Sequence, residues 1–166
     1  MAIRPVQKKI IVVLHALSSV GLLGSIVSFF ALGCAALAAT GDELPSTYSA
    51  AMLLNSIYVI VPLALAANIT GLILALKTHW GLFKHRWVLV KFMMTLFATV
   101  VLLIKLRLIF RVADCFGSSA CLLESPRHGE LELVVHAAMG FLVLLMPLVL
   151  TIFKPWGLVQ IPQQRV

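Results

Sequence analysis

From Ile10 to Gly41 the chain reads IIVVLHALSSVGLLGSIVSFFALGCAALAATG, 32 residues without a charged side chain. A helix needs only about 20 apolar residues to cross a hydrocarbon core roughly 30 Å thick. This stretch therefore decides the solvent in which the protein folds. Two more uncharged runs follow, 33 residues from Leu44 to Leu76 and 21 from Leu133 to Phe153. In lipid each backbone amide must be bonded inside its own segment, which leaves the helix as the conformation open to each run. The stretch from Trp87 to about Ile109 is the remaining span, although it carries Lys91, Lys105 and Arg107. Lys91 and Lys105 are 14 residues apart, about 21 Å at 1.5 Å per residue, so each side chain can snorkel to its own surface.

The composition agrees with the runs. Of 166 residues, 61% are hydrophobic and 11% charged, against about 45–50% and about 25% in soluble domains. A water-soluble globule, a disordered chain and a disulfide-stapled secreted domain are excluded. The expectation is an all-α membrane protein, one domain over residues 1–166, forming an up-down-up-down bundle of four transmembrane helices. The spans fall at about residues 8–39, 49–76, 87–111 and 130–153, and short connections force sequential helices antiparallel. A net charge of +7 would in a soluble domain suggest nucleic acid, whose phosphates release counterions to clustered cations. Here the cations form short clusters between apolar runs, with no aromatic stripe, so no nucleic-acid partner is expected.

Orientation follows from the asymmetry of Lys and Arg. One side holds Arg4, Lys8, Lys9, Lys77, Lys84, Arg86, Lys91, Lys154 and Arg165; the other holds Lys105, Arg107, Arg111 and Arg127 with all six acids. Nine against four places both termini in the cytoplasm. Trp80, Trp87 and Trp156 fall at the same inner interface, where an indole can keep its ring among headgroups and its N–H in water. The Ala36-Leu37-Ala38 triplet behind a basic start resembles a leader cleavage site. The apolar run before it is about twice the usual 7–15 residues of a leader, which favours a span.

The connections after the first two spans are short, and only Ala113 to Glu130 is long enough for a feature of its own. It holds Cys115 and Cys121 around Phe116-Gly117-Ser118-Ser119-Ala120, on the side expected to be oxidising, and a local disulfide is the expectation. Cys34, in an apolar helix, reads as a small packing residue.

Ionisable and amide side chains within spans point to function because leaving them unpaired in hydrocarbon is costly. These are His15, Asn55, Asn68, Lys91 and His136. His15, Asn68 and Lys91 belong toward the inner side, and Asn55 and His136 toward the outer. Hydrogen bonds to neighbouring spans are the plain reading of the two histidines. The sharper reading is a metal or haem ligand. His15 is six residues past Lys9 and His136 four past Glu132, about 9 Å and 6 Å inside opposite surfaces, leaving on the order of 15 Å between them in a core about 30 Å thick. Two imidazoles on one metal need nitrogens about 4 Å apart, twice a bond of about 2 Å. A bis-histidine site within one chain is disfavoured; haem with one histidine and another ligand, or a site completed by a second copy, stays open. His128 could join His136 in a copper or zinc site, with a cysteine.

His79 and His85 flank an inner loop at a spacing that suits no helical ligand pair. The methionines are scattered rather than clustered as a copper(I) relay would need. No Ser/His/Asp set, phosphate-binding glycine loop or CxxC is present, and no carboxylate lies deep within a span, the acids nearest to one being Glu130 and Glu132 at the outer end of the last. Packing signals are plainer: Gly21 with Ser25, Gly24 with Ser28, and Ala67, Gly71, Ala75 are small residues four apart, which let helix backbones approach. Pro62 and Pro147 should kink their helices and free a carbonyl.

The stretches Trp80-Gly81-Leu82 through Arg86-Trp87-Val88-Leu89-Val90-Lys91, His136-Ala137-Ala138-Met139-Gly140 and Lys154-Pro155-Trp156-Gly157 resemble small bacterial integral membrane proteins. They are similar to the wider copper resistance protein D-like group of helical bundles. The resemblance covers spans two to four. It implies a multi-pass protein of the bacterial inner membrane with haem or copper handling, and it identifies no catalytic residue. Two roles follow. The leading one is a non-enzymatic module for interaction, accessory work or small-solute handling, with the bilayer, another membrane protein or a second copy as partner. The alternative is a haem- or copper-binding redox protein using His136, His128 or His15.

Overall fold

The computed structural model describes residues 4–40, 43–77, 86–117 and 126–153. Its helices are α1 (Pro5–Ala38), α2 (Glu43–Asn55), α3 (Val61–Lys77), α4 (Arg86–Gly117) and α5 (Pro126–Phe153), with a π-helical turn, Ser56–Ile60, carrying α2 into α3. Four stretches, Pro5–Ala38, Pro45–Lys77, Val88–Cys115 and Arg127–Leu150, are long and apolar enough to cross a membrane. The all-α four-helix bundle is thus the fold, and the chain is a multi-pass membrane protein by the length and composition of its helices.

α1 starts at Pro5, where the missing N–H costs nothing, and it buries Ser18, Leu22, Ile26, Phe29, Gly33 and Ala36. Steps of four and three residues keep those positions on one stripe. Around the stripe the core gathers Met52, Ile60, Ala64, Ile109, Val112, Leu133 and Leu144. The opposite faces carry apolar side chains outward, Leu17 at 65% and Ile104 at 64% exposure among them. In water such a surface would aggregate; in a bilayer it is the solvated face.

α1 packs against α2, α3 and α5, and α4 against α2, α3 and α5, so the spans follow one another round a ring. Asn55 Nδ2 donates to the Ser25 carbonyl over 3.1 Å, while further along α3 the Ala67 carbonyl meets His15. That pairing runs the two spans antiparallel. Beyond the core, the Arg127 guanidinium donates to the carbonyls of Leu37 and Ala39 over 3.2 and 2.9 Å. Those carbonyls close α1, whose last turn has no intrahelical partners for them.

Several expectations change. α4 runs to Gly117 and α5 begins at Pro126, so most of the stretch expected to be a loop from Ala113 to Glu130 is helix. Each residue added to an existing helix gains a hydrogen bond without a new nucleus, and Pro126 occupies a favourable first position. Cys34 is exposed rather than a packing residue. Gly24 and Ser28 are also exposed, and a Cβ at Gly24 would meet nothing within 4 Å, so this pair faces outward. Cys121, His79, His85, Trp80, Trp156 and the Trp87 side chain lie outside the described residues, and with Cys121 goes the expected Cys115–Cys121 disulfide.

Candidate functional site

The five intramembrane polar residues are not one cluster. His15 is half-buried, its Nδ1 3.1 Å from the Ala67 carbonyl oxygen and 3.1 Å from Thr70 Oγ1. A carbonyl only accepts, so Nδ1 carries the proton. The imidazole lies over Gly71, where an added Cβ would come within 3.1 Å of His15 Cε1. The Ala67-Gly71-Ala75 series thus makes room for a side chain from α1. Asn55 ties α2 to α1 through Ser25. Asn68 Nδ2 donates to its own helix at Ala64 and to Thr99 Oγ1 on α4, both over 2.8 Å. Lys91 is half-buried on α4.

His136 stands elsewhere, in the wall of a cavity of about 440 Å³. Leu22, Ile26 and Phe29 of α1, Ile60 and Ala64 of the second span, Phe97 to Ile109 of α4 and Leu133 to Leu144 of α5 contribute to that wall. Every span supplies part of it. Phe97 and Met139 both line the cavity and lie on the outer surface at 64% and 57% exposure, which puts its mouth between α4 and α5, on the apolar outer face of the bundle. The wall is apolar except for Thr99, Lys105 and His136. Burial is sparse along α4, where the buried residues among the described side chains are Thr99, Ile109 and Val112. The cavity occupies the space this loosely packed helix leaves.

The polar groups are held from behind. Thr99 donates to the Thr95 carbonyl over 2.9 Å and accepts from Asn68. Lys105 is ion-paired with Glu132, and His136 Nδ1 lies 2.7 Å from the carbonyl oxygen of that same Glu132. One residue therefore positions both: its carboxylate holds the ammonium and its backbone holds the imidazole a turn further on.

His128, on the same helix as His136 and exposed, is eight residues away, about 12 Å of helical rise. Among the described residues no group of three or more His, Cys, Asp and Glu side chains is placed to hold a metal ion.

Sequence reasoning missed the pairing of Lys105 with Glu132, taking both as interfacial charges. The spacing of four between Glu132 and His136 signals that those two share a face of α5, but no spacing in the sequence places Lys105 of α4 beside them. It also missed Glu130, which has no exposed surface and accepts a 3.0 Å hydrogen bond from buried Ser49. Glu130 precedes Leu133, Val134 and Ala137 at spacings of three, four and seven, the inward stripe of α5.

The chain matches no family model, no curated protein and no solved structure.

Proposed function

We propose that this chain is a membrane-embedded binding protein, a small-solute-handling module that takes a lipid-soluble molecule from the bilayer into the cavity between α4 and α5. The observation carrying this reading is the cavity itself. Its size, about 440 Å³, falls within the roughly 300–1,000 Å³ of small-molecule pockets, and its apolar wall with a few convergent polar groups is their usual make-up. Its mouth faces hydrocarbon, so the ligand need not pass through water.

A long-chain alkyl diazirine dissolved in bilayers around the reconstituted protein tests it. On illumination, adducts should form on buried Leu22, Ile26 and Ile60, which line the cavity away from lipid, and Gly140→Leu should reduce them by filling the space beside the mouth. Adducts confined to outward-facing positions such as Leu17 and Ile104 would refute the reading.

One observation favours the alternative, a haem- or copper-binding redox protein of the bacterial inner membrane. His136 Nδ1 is fixed on the Glu132 carbonyl, which leaves Nε2 as the ligating nitrogen, and histidine ligands of metals are commonly oriented in this way. The absorption spectrum and metal content of the purified protein separate the two. A colourless, metal-free preparation is expected; a Soret band or stoichiometric copper would move the function to that alternative.

A further inference from the structure

The three polar groups of the cavity wall differ in what they have left to offer. Thr99 has one proton, already given to Thr95, and it accepts from Asn68. An ammonium has three donors, and Lys105 uses one on Glu132. For His136 the decisive contact is Nδ1 to the Glu132 carbonyl oxygen at 2.7 Å. Two acceptors cannot bond each other, so Nδ1 carries the hydrogen and in the neutral ring Nε2 is a bare acceptor. Lys105 and His136 both line the cavity and both are held by Glu132, so the wall has donors from Lys105 and an acceptor from His136 to offer.

Those offers select a head group. A ketone, ester or ether can accept from Lys105 but has nothing to give Nε2. An anion brings a charge that Glu132 has already supplied to Lys105. A hydroxyl both donates and accepts. We propose that the cavity is a site for a lipid-soluble hydroxyl compound, an alcohol or phenol with an apolar body, whose O–H donates to His136 Nε2 and whose oxygen accepts from Lys105. This assignment rests on the cavity being a binding site and adds the chemistry of what fills it. The apolar body lies along Leu22, Ile26, Ile60 and Leu144, and the head group sits where Glu132 holds its two partners.

The test uses 4-nonylphenol and its methyl ether, identical in body and differing in the one donated proton, as competitors of the diazirine in bilayers containing the full chain. The phenol should suppress adducts on Leu22 and Ile26 at a concentration about tenfold below the ether, the effect of one buried hydrogen bond. In His136→Phe the phenol should fall to the level of the ether while the ether still competes. Equal competition in the unaltered protein overturns the hydroxyl assignment and leaves the cavity reading standing, as does failure of both compounds where the diazirine still labels. Absence of labelling on the buried wall removes the cavity reading itself. The comparison in the unaltered chain stands even if the variant does not fold.

Discussion

Gly33 marks a close approach of α1 to α5: a Cβ built there would lie 2.5 Å from Val134 Cγ2 and 3.4 Å from Met52 Cε. Valine is β-branched and stiff about its first torsion, so it cannot swing aside. Gly33→Ala should destabilise the bundle by about 1–3 kcal/mol, the range for overpacking a filled interior, and most of that cost should vanish when Val134→Ala is present. Denaturant unfolding in mixed micelles measures both; a cost that persists in the double variant would place the strain elsewhere. Glu130 poses the opposite problem, a carboxyl without exposed surface whose Oε2 has no hydrogen-bond partner among the described residues. Ser49→Ala takes away the bond to Oε1 as well and should cost about 1–3 kcal/mol, whereas Ser49→Ala with Glu130→Leu should recover most of it, because two apolar partners leave nothing unsatisfied. Neither residue was legible in the sequence as what it is. Gly33 falls in none of the small-residue series that the sequence shows, and Glu130 marks only the start of a span, because both roles depend on how far α1 and α5 interpenetrate. His15, Asn55 and Asn68 were legible as polar side chains needing partners, but their partners depend on the register between spans.

The second span shows how register is set. Pro45, Ser49, Met52 and Ser56 are buried at steps of four, three and four, and a regular repeat would next bury residue 59. Instead Ile60, Ala64 and Ala67 are buried, one residue late. The π-helical turn Ser56–Ile60 absorbs that extra residue, as an insertion does in a coiled coil, and it sits just before Pro62, which has no N–H to continue a regular ladder. Proline and apolar pattern together held this information, although Pro62 alone suggested only a kink. Deleting Tyr58, an exposed residue of the turn, should convert the π-turn to α-helix and keep both buried stripes aligned. Deleting Leu65, inside the regular helix, should rotate everything beyond it by about 100°, one residue at 3.6 per turn. Thermal unfolding should therefore show the Tyr58 deletion folded and the Leu65 deletion severely destabilised. Equal damage from the two would mean that the turn does not set the register.

At the scale of the molecule, the bundle has two chemically different ends. Arg4, Lys8, Lys9 and Lys77 gather at one, with no acid among the described side chains there. At the other, Lys105 is paired with Glu132 and Arg127 is bonded to the carbonyls that close α1. Cations retained in the cytoplasm are the usual determinant of orientation, which is why the direction of insertion could be read as an expectation from charge counts alone. The 34 residues of α1 would measure about 51 Å at 1.5 Å per residue, against a core of roughly 30 Å. Both ends of that helix therefore reach past the hydrocarbon, or the helix tilts, and its basic start can stand among headgroups. We propose that the basic end with both termini faces the cytoplasm. In a background with the native cysteines replaced by serine, single cysteines at Lys77 and at exposed Arg111 separate the outcomes in intact cells. A membrane-impermeant maleimide should label the Arg111 position and leave the Lys77 position untouched until the membrane is opened. The reverse pattern would invert the protein, and labelling of both or neither from outside would contradict the order of the spans. The orientation also places the cavity's polar groups, since Lys105 and His136 stand nearer the end opposite the termini, so a ligand with its hydroxyl between them would come from the outer leaflet.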